Sequence, residues 1–489
     1  MHGRTDAPVR NVAVLGRAGS GKSALVNALC GRSAETAPTR SLELSVAWHR
    51  GTRIALLDTA GEPELALSRT AALRGADAVL LAVPALGGLD PLSVALWHRC
   101  EGRPRVVVLT QVDRAGADPD EALALCRRLL GEQVVAANLP VHDDEGAGVA
   151  GVLDLLALRL AVGTGDQRRE RPAEPEHAAL VEGLREDLLA AIVTGTDDEQ
   201  LVRDYLADAP ELAPARLQRA LHDCVRTAAL DPLLVTAAPL GLGTTELLDL
   251  LVRAMPGPAA APGPVDPDGP PVLEVLRAGS PALARSWSGR WPGLVPGAVD
   301  RLAEHPDAAT GAVLSADGAP AALEGWRLPQ PFSPARLAPR DAVGERELAR
   351  LLRTDPTLRF DAAADLLWTL GPVHLDAALA GTGLREAPLA PGDDRSWEVE
   401  VALPAALARP LLRAVAERGA VRWQLGRAPW SGPDPDADPD DEPDPGRSAA
   451  HGPLNLVQLA ALAPVLAGVG HGAAAGTAEV RLQPAPWIG

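Results

Sequence analysis

Lysine is almost missing from this 489-residue chain: of 46 basic side chains, Lys22 alone is one. A coding bias has turned basic positions to arginine wherever either would serve. The survivor marks a place where a compact ammonium on a flexible stem is needed and a planar fork is too bulky. Aromatics are scarce at 3%, so the 47% of hydrophobic residues must build cores from Leu, Val and Ala. Four scattered cysteines, Cys30, Cys100, Cys126 and Cys224, have no metal-ligand spacing and read as reduced core residues. No apolar run is long enough to span a bilayer and no signal-peptide pattern precedes the first strand. These absences lead us to expect a soluble cytoplasmic protein with no membrane partner. The net charge of −18 excludes a DNA-coating role and leaves only a local arginine patch to touch RNA.

What is present begins at the lysine. Gly16-Arg17-Ala18-Gly19-Ser20-Gly21-Lys22-Ser23 follows a short apolar run, Asn11–Leu15, and precedes a helical pattern, Ser23–Cys30. Strand, glycine-rich loop, lysine and helix in that register make a phosphate-binding loop. Its glycines let backbone N–H groups curl around an anion, Lys22 reaches the β- and γ-phosphates, and Ser23 offers a hydroxyl to Mg²⁺.

A second strand, Arg53–Leu57, ends at Asp58-Thr59-Ala60-Gly61. An aspartate there holds Mg²⁺, commonly through water, and Gly61 can turn its N–H toward a γ-phosphate. A third strand covers Ala78–Val83, and a fourth, Val106–Leu109, runs into Thr110-Gln111-Val112-Asp113. Asp113 would accept two hydrogen bonds from the guanine N1–H and exocyclic amine, which adenine lacks. An ATP-binding loop protein remains the alternative if that base motif is over-read.

These motifs resemble a translational GTPase of the elongation factor G type, nearest its divergent paralogues. Gly88–Arg99, Gln111–Asp118, Leu139–His142 with Gly148–Leu156, and Thr227–Leu251 are similar to successive stretches of the family's GTP-binding domain. Asp231–Val235 would be its last strand, and Thr236-Ala237-Ala238 its guanine loop, with Ala237 for the family's serine. The resemblance implies GTP or GDP with Mg²⁺ as cofactors. The nucleotide would be held by residues 16–23, Asp58, Thr59, Ala60, Gly61, Thr110, Gln111, Asp113, Ala237 and Ala238, with Ser23 and Asp58 on the metal. Departures are informative. The family's Asn-Lys-x-Asp is Thr110-Gln111-Val112-Asp113, and the catalytic histidine after Gly61 is Glu62. A carboxylate there tends to repel the γ-phosphate where a histidine orients water. The segment between Ser23 and Arg53 is short. If Arg40–Leu44 aligns with the family's Arg-Gly-Ile-Thr-Ile, its metal-binding threonine is Glu43, with Ser41 and Thr39 as nearby substitutes.

The expected fold is α/β: a P-loop GTPase domain with a helical insertion, then a reduced β-barrel and two small α+β (ferredoxin-like) domains. The GTP-binding domain covers 1–255, with the insertion at about 146–230 carrying helices at Glu176–Val193, Glu199–Ala207 and Pro214–Thr227. A Pro/Gly linker, 256–271, leads to the reduced barrel at 272–330. An α+β domain at 331–383 contains Gly371–Asp376, similar to the family's Gly-Glu-Leu-His-Leu-Glu, with His374 read as a packed structural histidine. Residues 384–396 stand where the family has its decoding-site domain. A last α+β domain, 397–489, has a strand at 399–401, helices at 404–418 and 456–467, a strand at 420–423 and a disordered acidic insert, 428–452. The resemblance implies a guanine-nucleotide protein at the ribosomal factor-binding site, auxiliary and not translocating, with slow or impaired hydrolysis. A nucleotide-binding regulatory or scaffold protein without turnover is the other reading, and a decayed paralogue without nucleotide a further one.

Overall fold

The computed structural model of the chain describes residues 7–33, 39–142, 148–164, 167–207, 212–258, 270–289, 291, 294–295, 297–302, 308–315, 326 and 328–389. Beyond these it gives the backbone of 396–404, 424–427, 447–455 and 479–484. Two compact units divide it, Met1–Gly61 with Ser68–Gly325, and Glu62–Leu67 with Trp326–Gly489.

In the first unit, Val9–Leu15 (β1) leads through Lys22–Leu29 (α1) to a hairpin, Glu43–His49 (β2) and Thr52–Asp58 (β3). Helices and strands then alternate: Ala66–Gly75 (α2), Ala78–Pro84 (β4), Pro91–Arg99 (α3), Arg105–Thr110 (β5), Pro119–Leu130 (α4) and Val134–Ala136 (β6). An insertion follows, with Asn138–His142 (β7), Val149–Asp154 (β8), Arg159–Val162 (β9) and Arg169–Pro172 (β10). Its helices are Pro175–Leu180 (α5), Glu182–Gly195 (α6), Glu199–Leu206 (α7) and Pro214–Arg226 (α8). Asp231–Val235 (β11) and Thr244–Arg253 (α9) return to the main sheet.

That sheet has the order β2-β3-β1-β4-β5-β11-β6. All its pairs are parallel except β2 with β3. β3, β4 and β5 are buried along their whole length, as strands covered on both faces must be, and their sequences are correspondingly almost continuous apolar runs. The edge strand β2 joins β3 through Arg50 (φ 48°) and Gly51 (φ 76°), a two-residue turn whose left-handed backbone suits the strand twist. Asp90 and Asp118 cap α3 and α4 by accepting from the N–H groups of Ser93 and Glu121, and a proline fills the first turn of each helix. Cys100, Cys126 and Cys224 are buried free thiols. Burial pushes Cys100 up to about 11, Cys126 to about 12 and Cys224 to about 11, which keeps them protonated and inert.

The insertion is only partly helical. It opens on an antiparallel sheet, β10-β9-β8-β7. These strands have four to six residues, too short for an apolar run to separate strand from helix. The helix expected at Glu176–Val193 breaks at Val181 (φ −103°, ψ 6°) into α5 and α6.

Val272–Arg277 (β12), Ala282–Ser288 (β13), Val299–Leu302 (β14) and Val313–Ser315 (β15) form a four-stranded antiparallel sheet, β14-β13-β12-β15. It is fastened to the main sheet by buried polar contacts. Arg285 donates to Asp77 (2.6 Å), whose other oxygen accepts from Asn11 (2.8 Å), and Arg53 pairs with Asp300 (2.8 Å). Gly75 has to be glycine here, because a β-carbon would lie 2.4 Å from Leu276 Cδ1.

In the second unit, Ser333–Leu337 (β16), Ala342–Thr354 (α10), Arg359–Asp361 (β17), Leu366–Thr369 (β18), Pro372–Leu379 (α11) and Glu386–Ala387 (β19) make an antiparallel sheet, β17-β18-β16-β19, with two helices. Leu337, Leu348, Leu351, Leu358, Leu367 and Leu375 fill its core. Its fourth strand lies inside the stretch expected to be a linker. A last sheet has the order β21-β22-β20-β23 and comprises Ser396–Pro404 (β20), Gln424–Arg427 (β21), Arg447–Asn455 (β22) and Glu479–Pro484 (β23). Two expectations need correction here. Pro404 ends β20 and does not start a helix, and residues 447–452 of the supposed disordered insert belong to β22. That strand pairs with β20 along all nine residues. Its Ala, Gly and Pro give no strand signal, and pairing on both sides overrides propensity. The helices expected over 405–418 and 456–467, the strand at 420–423 and the acidic tract 428–446 lie outside the described residues.

Candidate functional site

The carboxyl ends of β1, β3, β5 and β11 face one edge of the sheet, and the loops leaving them carry the residues singled out by sequence. Leaving β1, the chain turns through Gly16 (φ 142°), Gly19 (φ 75°) and Gly21 (φ 82°) before α1 begins at Lys22. A β-carbon on Gly16 would lie 2.5 Å from the Ala82 carbonyl oxygen, so only glycine lets this loop hug β4. Lys22 is buried, and its ammonium donates to the Arg17 carbonyl at 2.8 Å, across the mouth of the loop.

Leaving β3, Asp58 is buried, with one oxygen accepting from the Thr39 hydroxyl at 2.9 Å. The Thr39 hydroxyl also lies 2.9 Å from Ser23 Oγ. Burial raises the Asp58 carboxyl above its ordinary value, opposed by hydrogen bonds from Ser23 and Thr39 and by the Lys22 charge. Thr59 is pinned by its hydroxyl to the Val14 carbonyl (2.7 Å), and Ala60 is held by Ser68 and Arg69. Gly61 then packs directly on the phosphate loop, where a β-carbon would sit 2.3 Å from the Ala18 amide nitrogen. Glu62 begins the short segment that belongs to the second unit.

Leaving β5, Thr110 donates to the Ser20 carbonyl (2.6 Å), and the Gln111 side-chain amide donates to the Gly19 carbonyl (2.8 Å). Gln111 adopts a left-handed backbone (φ 60°) that turns the chain toward Asp113. Leaving β11, Thr236 bonds to Leu109, while the Ala237 N–H is taken by the Leu242 carbonyl (3.1 Å) and Ala238 opens a short turn.

The first unit therefore brings together residues 16–23, Asp58–Gly61, Thr110–Asp113 and Ala237–Ala238. Ser41 and Glu43 are exposed, and Thr39 is the residue of that segment that reaches Ser23 and Asp58. Its signal in the sequence is weak, a lone threonine between a proline and an arginine. Sequence reading also missed Glu64, in the second unit. Its carboxylate accepts from the His374 N–H (3.1 Å) at the start of α11, and Gly371 makes room for it.

The donor set fits a magnesium–guanine nucleotide. Asp58 Oδ1 and Asp113 Oδ1 are both buried acceptors without a hydrogen-bond partner among the described residues. A cation would satisfy the first and a ring N–H or amine the second. Lys22 and the loop amides suit phosphate oxygens.

Comparison with known proteins agrees with this arrangement. Residues 11–111 match the family described as 50S ribosome-binding GTPase. The chain is 26% identical over 470 residues to an elongation factor G-like protein of Mycobacterium tuberculosis, covering 76% of this chain and 65% of that protein. It is 30% identical over 216 residues to elongation factor G 1 of Geobacter sulfurreducens, covering 44% of this chain and 31% of that one. It thus spans about two thirds, or less, of the length of these curated relatives. A crystal structure of a Thermus thermophilus protein superimposes with a TM-score of 0.75 at 20% identity, over 98% of this chain and 97% of that one. At that identity the likeness concerns the fold.

Proposed function

The chain belongs to the elongation factor G family of translational GTPases, and from that premise we propose that it binds GTP and Mg²⁺ and acts at the ribosome in an auxiliary role, with slow or impaired hydrolysis. The observation that carries the proposal is the meeting, at the ends of neighbouring strands, of Lys22 in its loop, the Ser23–Asp58 pair and the unsatisfied Asp113 oxygen.

The residues divide the work by chemistry. Backbone N–H groups of the glycine loop and the start of α1 would cradle the phosphates. The Lys22 ammonium would leave the Arg17 carbonyl for the terminal phosphates, exchanging a neutral acceptor for an anionic one. Mg²⁺, held by Ser23 and Asp58, supplies neutralisation of the phosphate charge. Asp113 would accept from guanine, while Thr110 and Gln111 brace the base loop against the phosphate loop. Gly61 would offer its N–H to the γ-phosphate.

Impaired hydrolysis rests on Glu62, which follows Gly61 where the family carries a histidine. The auxiliary role rests on residues 388–395, the whole connection between β19 and β20. Eight residues leave no space for the domain that relatives would send to the decoding site. Among the described residues no helix is long and apolar enough to cross a membrane.

Co-sedimentation with ribosomes in GTP, GDP or a slowly hydrolysed analogue, paired with phosphate release with and without ribosomes, tests the proposal. We expect GTP-dependent co-sedimentation and weak, ribosome-stimulated turnover. Tight GTP binding with no turnover in either condition would favour a regulatory scaffold, and no GTP binding at all would end the reading.

A further inference from the structure

Among the described residues, no three His, Cys, Asp or Glu side chains gather into a group that could hold a metal ion. A protein site for Mg²⁺ here must therefore recruit hydroxyl oxygens beside its one carboxylate. Two hydroxyls stand in line with Asp58. Thr39 Oγ1 is 2.9 Å from Ser23 Oγ and donates to Asp58 Oδ2 at 2.9 Å. With its proton given to Asp58, Thr39 accepts from Ser23.

The spacing matters. Mg²⁺ demands near-ideal octahedral geometry with bonds of about 2.0–2.1 Å, and adjacent corners of such an octahedron lie about 2.9 Å apart. Three oxygens linked by contacts of that length need little rearrangement to share one cation in place of two protons. The placement of Thr39 is built in. It is buried although Arg40 and Ser41 beside it are exposed, and the chain three residues on is fixed by buried Leu42, whose carbonyl accepts from Arg277 (3.1 Å).

We propose that Thr39 is a third protein ligand of the Mg²⁺ site, joining Ser23 and Asp58 and giving the short segment between α1 and β2 its contact with the metal. This rests on the nucleotide reading above. It assigns to Thr39 the role that the family alignment would have placed at Glu43.

The test is retention of a fluorescent, slowly hydrolysed GTP analogue as Mg²⁺ is titrated against EDTA, for the wild type, Thr39→Val, Thr39→Ala and Thr39→Ser. Loss of the hydroxyl in Val and Ala should raise the Mg²⁺ concentration for half-maximal retention by about tenfold or more. Retention in EDTA should match the wild type in every variant, and Ser should titrate like the wild type. An unchanged midpoint in Val and Ala overturns the proposal. So does a lowered midpoint, which would make Thr39 an obstruction to the metal, and so does an equal loss with and without Mg²⁺, which would make its role packing alone. A wild type that retains no analogue at any Mg²⁺ concentration would refute the nucleotide reading itself, and this assignment with it.

Discussion

Gly61 has no room for a β-carbon, because the Ala18 amide would be 2.3 Å away and neither backbone can yield. Gly61→Ala should therefore push the Asp58–Gly61 segment off the phosphate loop. We expect nucleotide still to bind but GTP to lose its advantage over GDP, read as the ratio of their dissociation constants. Lys22→Ala removes the buried ammonium, and truncating one partner of a desolvated charge pair costs about 2–5 kcal/mol. Triphosphate affinity measured by calorimetry should fall by a factor of about 30 or more. Asp113→Asn swaps an acceptor for an amide, so GTP should weaken and xanthosine triphosphate should gain in a competition assay. At this scale the sequence was most readable, because phosphate and base chemistry admits few residue types at fixed spacing. What it could not show was which hydroxyl near β2 reaches the metal site. Thr39, Ser41 and Glu43 are equivalent on paper, and only the packing of Leu42 selects Thr39.

At the level of elements, legibility followed burial. β3, β4 and β5 are sandwiched strands and announce themselves as apolar runs, whereas β2 alternates at an edge and β22 is recognisable only through its neighbours. The helix α11 shows what a structural histidine does. His374 Nδ1 accepts from the Leu370 N–H (3.0 Å), so Nε2 carries the proton and meets Asp355 (2.9 Å). Burial alone would raise the Asp355 carboxyl, but the His374 ring and the Thr357 hydroxyl and N–H together hold it below its ordinary value. A depressed carboxylate contributes stability that is complete above the unfolded value of about 3.9 and drains away as pH falls through the folded one. Hydrogen exchange of residues 331–389 should therefore quicken on acidification below about pH 4. Asp355→Asn should flatten that dependence, and His374→Ala should speed exchange at neutral pH by leaving Asp355 short of a donor, at a cost of about 1–3 kcal/mol.

For the whole molecule, charge sets the terms of any meeting with the ribosome. A protein at −18 gains nothing from the general field of RNA phosphates, so attachment has to come from a local arginine patch or from ribosomal protein. Excess transfer RNA or duplex DNA should accordingly fail to displace the protein from ribosomes, and a mobility shift on either nucleic acid at physiological salt would contradict this. The division into two units could not be anticipated from composition. Residues 62–67 sit in the chain within the first unit's sequence yet cluster with 326–489, and it is Glu64, seated against Gly371 and the N–H of His374, that ties them there.

The burial of Lys22 has a practical corollary. An endoproteinase specific for lysine finds one internal bond to cut, Lys22–Ser23, and amine-directed acylation finds one ε-amine, both shielded inside the folded loop. Cleavage or acylation at that address therefore counts molecules whose loop has opened, with no background from any other lysine, and it gives a direct clock for how often the site breathes.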